Sequence, residues 1–170
     1  MAILARKLLE LLQRNKEEKI MKISDYLDAS LVTFLNVASR EKAIAVLVDL
    51  LKARGRIKNA RKFYEATLLR EKLVSTGIGM GVAIPHAKID LVDDFFIAIG
   101  IQKNSHGLPW QSIDSAPVRL VFLIGGPSHS QPEYLQILSL LTCALKEELL
   151  RKKLLLLQSP QAIVDLFSKY

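Results

Sequence analysis

His86 is the residue around which chemistry can be built in this chain. It follows Pro85 and a short apolar run, Val82 to Ile84, downstream of a segment where Gly77, Gly79 and Gly81 fall within five positions. Glycine reaches positive φ freely, the apolar run reads as a buried strand, and proline ends a strand ladder because it has no N–H. The pattern sets His86 at a strand's end, where sheet proteins present reactive groups. An imidazole titrates near neutrality and its ring nitrogens are nucleophiles. If one nitrogen attacks a phosphoryl donor, the other must keep its proton in a hydrogen bond, expected to a backbone carbonyl. Ser75, Thr76, Gly77 and Gly79 can offer hydroxyls and backbone N–H groups to a bound phosphate, or can serve only to shape the loop. From spacing alone, a phosphoryl-carrying histidine and a histidine that merely ends a strand stay equally open.

The elements that must position these groups can be read in order. Ser24 to Val37 predicts an irregular lead-in with a short strand around Val32–Leu35. Ser39 then fits a helix N-cap, with Ala43, Val46, Leu47, Leu50 and Leu51 at helical spacing and Gly55 as the stop. A helix from about Asn59 to Lys72 follows, with Phe63, Ala66, Thr67 and Leu69–Arg70 read as its core faces. Phe95 to Ile101 and Val118 to Ile124 predict strands, the latter buried on both faces, with Gly125 to His129 as the break. Ser130 to Glu133 resembles a capping box opening a helix to about Ala144. Residues 147–157 continue as helix, with a leucine run expected to be largely buried. Ser159 and Pro160 open a last helix whose inner face is Ile163, Leu166, Phe167 and Tyr170. Strands alternating with helices argue for an α/β fold, a mixed β-sheet sandwiched by helices.

Composition sets the bounds. The 170 residues, half of them hydrophobic and 24% charged, fit one globular domain. Cys143 is the only cysteine, so no intrachain disulfide can form, and its apolar helical setting predicts a buried small side chain. The three histidines lack metal-ligand spacing, and neither a metal nor a cofactor is expected. No apolar run has the length of a membrane span, residues 1–20 are too charged for a signal peptide, and a cytoplasmic location is expected. The lysines and arginines behind the net charge of +7 are spread along the chain, with small clusters at Arg54–Lys62 and Arg151–Lys153. A solvated basic face accounts for these better than nucleic-acid binding does.

Arg70-Glu71-Lys72-Leu73, the run Ser75-Thr76-Gly77-Ile78-Gly79 through Ile84-Pro85-His86, Ile113 to Val118 and Leu135 to Leu140 together resemble the enzyme IIA domains of the bacterial phosphotransferase system. The resemblance is to the mannitol/fructose type and within it to the nitrogen-regulatory branch, over about Met21 to Tyr170. It implies a domain at 21–170 with the mannitol-type IIA fold, preceded by an extension at 1–20. That extension has Leu4, Leu8, Leu11 and Leu12 on one side of an extra amphipathic helix. A docking or dimerising helix is the favoured reading there; a membrane-surface helix and a functional start at Met21 stay open.

The resemblance also implies that His86 accepts a phosphoryl group and that Arg70 matches the arginine facing it, its planar fork suited to phosphate oxygens. In the family a second histidine stands near the start of the later helix; here the matching position is Tyr134, which can donate a hydrogen bond but brings no imidazole. His129 can swing in as a substitute or stay a solvated loop residue, and His106 has no role. The implied donor is a histidine phosphocarrier, the acceptor an unknown regulatory target or a IIB-type protein, with a homo-oligomer left open. Asp90, Asp93 and Asp94 are expected to form an acidic rim for the donor. The leading expectation is a regulatory phosphotransferase component with a phosphohistidine intermediate. The alternative is a protein-binding regulator that keeps the IIA fold and is not phosphorylated. A third reading is nucleic-acid or membrane-surface association through the basic clusters and residues 3–19.

Overall fold

The computed structural model describes residues 20–170. The expected helix at residues 3–19 lies outside the described residues. Among the described residues, a six-stranded mixed sheet is covered on both faces by five α-helices. The chain enters by a 3-10 turn, Ile23–Tyr26, and runs through β1 (Leu27–Leu35), α1 (Arg40–Ala53) and α2 (Ala60–Leu73). Three short strands follow, β2 (Gly77–Gly79), β3 (Val82–Ala83) and β4 (His86–Lys88), then β5 (Phe96–Gln102) and β6 (Leu120–Gly126). The chain closes with α3 (Gln131–Lys146), α4 (Glu148–Leu156) and α5 (Pro160–Asp165). The sheet order is β1-β5-β6-β3-β2, with β4 also paired to β6.

Strand alternation divides the core in two. Ile97, Ile99 and Ile101 of β5 and Leu120, Phe122 and Ile124 of β6 point to the layer formed by α3, α4 and α5. Phe96 and Ala98 of β5 and Val121 and Leu123 of β6 point to α1 and α2. Both strands are buried along their whole length, as strands with helices on both faces must be.

The caps at Ser39 and Asn59 form as the side chains dictate, each accepting from the backbone N–H three residues on. Several expectations need correction. The first strand is longer than expected because it pairs in parallel with β5 from Leu27, with a register shift before Val32. Gly125 and Gly126 do not break β6; they belong to it, because Phe96 and Phe95 lie across them where any side chain would collide. The Ser130 side chain makes no cap bond, and Glu133 accepts from the Tyr26 hydroxyl at 3.0 Å instead. Burial, then that carboxylate, raises the Tyr26 pKa to about 12. The helix after residue 146 restarts at Glu148, since Glu147 is extended. Only Leu150 and Leu154 of its leucines are fully buried, and Leu149 and Leu156 face solvent, because a single short helix can turn one side to the core. Leu69 is exposed for the same reason, and Cys143 is exposed on the outer side of α3.

An added Cβ at Gly125 would lie 2.2 Å from Phe96 Cζ and 2.9 Å from Phe63 Cε2. Gly125→Ala is therefore expected to destabilise the fold by about 2 kcal/mol through overpacking, measured as a lower midpoint in urea at unchanged m-value.

Candidate functional site

The break between β3 and β4 builds the site. Both strands run in parallel along β6, Val82–Ala83 against Leu120–Val121 and His86–Lys88 against Ile124–Gly126. Between them Pro85 has no N–H to give, though its carbonyl still accepts from Ile124 N at 3.0 Å. The Ile84 carbonyl faces His86 Nδ1 at 3.1 Å. A carbonyl only accepts, so Nδ1 must carry the proton and Nε2 keeps its lone pair. His86 thus opens β4 after an interruption; it does not close a strand.

A cleft of about 510 Å³ lies over the ring, lined by Arg70 and Ala66 of α2, His86 and Lys88 of β4, and Tyr134 and Gln131 of α3. Arg70 is fixed by donating from Nη1 to the Val74 carbonyl at 3.0 Å. The Tyr134 ring sits 5.3 Å from the imidazole at 42°, and burial raises its phenol pKa to about 12, so the hydroxyl stays a neutral donor. Lys88 Nζ stands 4.8 Å from the centre of that ring. Burial holds the imidazole pKa below its ordinary 6.5; Arg70 and Lys88 push the same way, while the Ile84 carbonyl and Glu71 oppose. The ring is neutral and nucleophilic at neutral pH.

The structure brings together His86, Arg70 and Tyr134. Ser75, Thr76, Gly77 and Gly79 are instead engaged beside the cleft. Buried Glu71 accepts from the Ser75 hydroxyl at 3.1 Å, Thr76 N at 3.0 Å, the Thr76 hydroxyl and Trp110 Nε1 at 2.8 Å. Arg40 Nη1 stands 3.7 Å from the same carboxylate. Gly77 lies against Ser112 and Trp110, and Gly79, at φ +86°, packs on Asp114, whose carboxylate accepts from Met80 N at 2.7 Å. His106 and His129 are exposed and do not line the cleft. Neither do Asp90, Asp93 and Asp94: Asp90 accepts from Ser128, and Asp93 pairs with Lys58 at 3.0 Å. The cleft is lined by cations, and the expected acidic rim is not part of it.

Sequence reasoning missed Lys88 and Glu71. Lys88 was legible as the residue two beyond His86, which a strand returns to the same side. Glu71 continues the buried spacing Phe63, Thr67, Glu71, so a carboxylate in that stripe had to find donors.

A family model described as phosphoenolpyruvate-dependent sugar phosphotransferase system, EIIA 2, matches residues 25–170. The chain belongs to that family. The fructose-specific EIIA component of Haloferax volcanii is 34% identical, the match covering 85% of this chain and 97% of that protein. The fructose-specific EIIABC component of Bacillus subtilis is 38% identical over 88% of this chain, which spans only 24% of that protein's length. Among solved structures, the nitrogen regulatory protein IIA-Ntr from Neisseria meningitidis superimposes with a TM-score of 0.79 at 27% identity, over 86% of this chain and 99% of that one. The EIIA fold and its mixed sheet are thereby shown, with fructose-specific and nitrogen-regulatory names both among the relatives. No helix among the described residues is long and apolar enough to cross a membrane.

Two outcomes test this EIIA site. The ring of His86 is expected to titrate below 6.5 in an NMR pH series, with Nε2 as the unprotonated nitrogen above that midpoint; a midpoint above 6.5 contradicts the burial argument. Glu71→Gln cannot accept all the donors that converge there, so it should lose about 3 kcal/mol in chemical denaturation at pH 7.

Proposed function

We propose that this chain is a cytoplasmic phosphoryl carrier that takes a phosphoryl group on His86 Nε2 from a histidine phosphocarrier of the phosphotransferase system. Its phosphorylation state then serves as a regulatory signal. The observation that carries this reading is the Nδ1–H bond to the Ile84 carbonyl, which leaves Nε2 as the nucleophile in a cleft lined by Arg70 and Lys88. In the transfer the Nε2 lone pair attacks phosphorus as the donor's P–N bond breaks, and that electron pair returns to the donor ring. No proton need move, because Nδ1 keeps its hydrogen on Ile84. Positive charge that develops on the acceptor ring is offset by the carbonyl and by Glu71, both of which favour the protonated ring. Arg70 holds equatorial phosphoryl oxygens, the task that dominates catalysis of such transfers. Tyr134 donates from the position of the family's second histidine. Ser75, Thr76, Gly77 and Gly79 act in this reading by fixing the loop through Glu71 and Asp114.

Exposed Leu69, Leu73, Val74 and Leu135 lie on α2, α3 and the turn after α2, close to cleft residues of the same helices, and give the donor an apolar rim to meet. The fructose-specific relatives favour a second acceptor reading, a IIB-type protein that receives the group for sugar transport.

Intact-mass measurement after mixing with phosphoenolpyruvate, enzyme I and cognate phosphocarrier should show one acid-labile phosphoryl group, absent in His86→Ala. Arg70→Ala should slow its arrival on the order of a hundredfold. No phosphorylation by competent cognate donors would leave the protein-binding regulator as the better reading, with Tyr134→His as the next variant.

A further inference from the structure

Lys88 has no carboxylate partner among the described residues, although it lines the cleft beside another cation, Arg70. It shares the face of β4 with His86, since residues two apart on a strand point the same way. Its ammonium stands 4.8 Å from the centre of the Tyr134 ring, attracted by the negative face of the π-system. Two cations lining one cleft beside a partly buried nucleophile repel each other until an anion arrives there. The phosphoryl group is that anion: a dianion on Nε2 would lie between the α2 side, where Arg70 stands, and the strand side, where Lys88 stands. Lysine also has the flexible four-carbon stem that such a movement needs.

We propose that Lys88 is the second cation of the phosphoryl site, resting on the Tyr134 ring while His86 is free and turning to the phosphoryl oxygens once Nε2 is loaded. The inference rests on the carrier reading above and adds to it a residue and a movement. The Tyr134 ring holds the ammonium away from Nε2 in the resting state, so the path of the incoming phosphorus stays open. After transfer the charge of the phosphoryl group outweighs the cation–π attraction, and the ring is left uncovered. Tyr134 is in this respect a positioning residue for Lys88, a role that its ring fulfils apart from its hydroxyl.

The test uses the full chain loaded with phosphoramidate, a small donor that removes any effect of partner docking. Phosphorus NMR then follows the ionisation of the phosphoryl group on His86 against pH. Lys88→Gln should raise that midpoint by about one pH unit, because the dianion loses a neighbouring cation. Lys88→Arg should restore most of it, and Tyr134→Phe, which keeps the ring, should leave the Lys88 contribution in place. In the unsubstituted protein the Lys88 ammonium nitrogen signal should shift on loading, a readout that needs no variant. An unchanged phosphoryl midpoint in Lys88→Gln, or an ammonium signal indifferent to loading, overturns the proposal while the carrier reading stands. Failure of the unsubstituted protein to load from either phosphoramidate or the phosphocarrier removes both together.

Discussion

A single missing N–H organises this molecule's chemistry. Pro85 interrupts the lane that β3 and β4 share along β6, and the interruption sets the Ile84 carbonyl against the His86 ring. Tautomer choice, the identity of the nucleophilic nitrogen and the orientation of the ring follow from that one acceptor. Nothing else in the cleft fixes the ring as directly, because Arg70, Lys88 and Tyr134 all act on it across space. The bend is in turn held by its surroundings: Ile84 N donates to Thr76 O at 3.0 Å, and Ile124 N donates to Pro85 O.

Charge is distributed around that ring with a clear division. The cations line the open side, and the one carboxylate with a direct influence, Glu71, is buried behind the loop with its oxygens occupied by donors. A carboxylate placed in the cleft itself would compete with a phosphoryl group for Arg70. Buried where it is, Glu71 still favours the protonated ring while spending its hydrogen-bonding capacity on Ser75, Thr76 and Trp110. The serine and threonine of what looks like a phosphate loop are thus tied by the helix that carries Arg70, and its glycines pack on Ser112, Trp110 and Asp114. Helix, loop and ring form one connected unit.

Much of the fold was legible because its signals are local. The cap at Ser39, the helix start near Asn59, the apolar runs of β5 and β6, and the helix-opening Ser159-Pro160 each depend on a few neighbouring residues. What was not legible depended on distant partners. Gly125 and Gly126 look like a strand stop until Phe96 and Phe95 lie across them. Glu133 looks like half of a capping box until Tyr26, far away in sequence, takes its carboxylate. The candidate site divides the same way: His86, Arg70 and Tyr134, brought forward by the motif, line one cleft, whereas Asp90, Asp93 and Asp94 lie outside its lining, with Asp93 turned to Lys58 on α2's approach loop. Cys143 was misread because an apolar stretch of helix does not reveal which of its sides meets the core.

The groups of the cleft and the exposed leucines beside it belong to different parts of the architecture. His86 and Lys88 lie on a strand paired to β6, one of the two strands buried along their whole length, where the packing leaves little freedom for substitution. Leu69, Leu73 and Leu135 stand on the outer sides of helices, touching water. Surface leucines can be exchanged at little cost to the sheet, so under the proposed function the partner that meets this cleft can change while His86 Nε2 stays where it is. A fold divided in this way can change clients without relearning its chemistry.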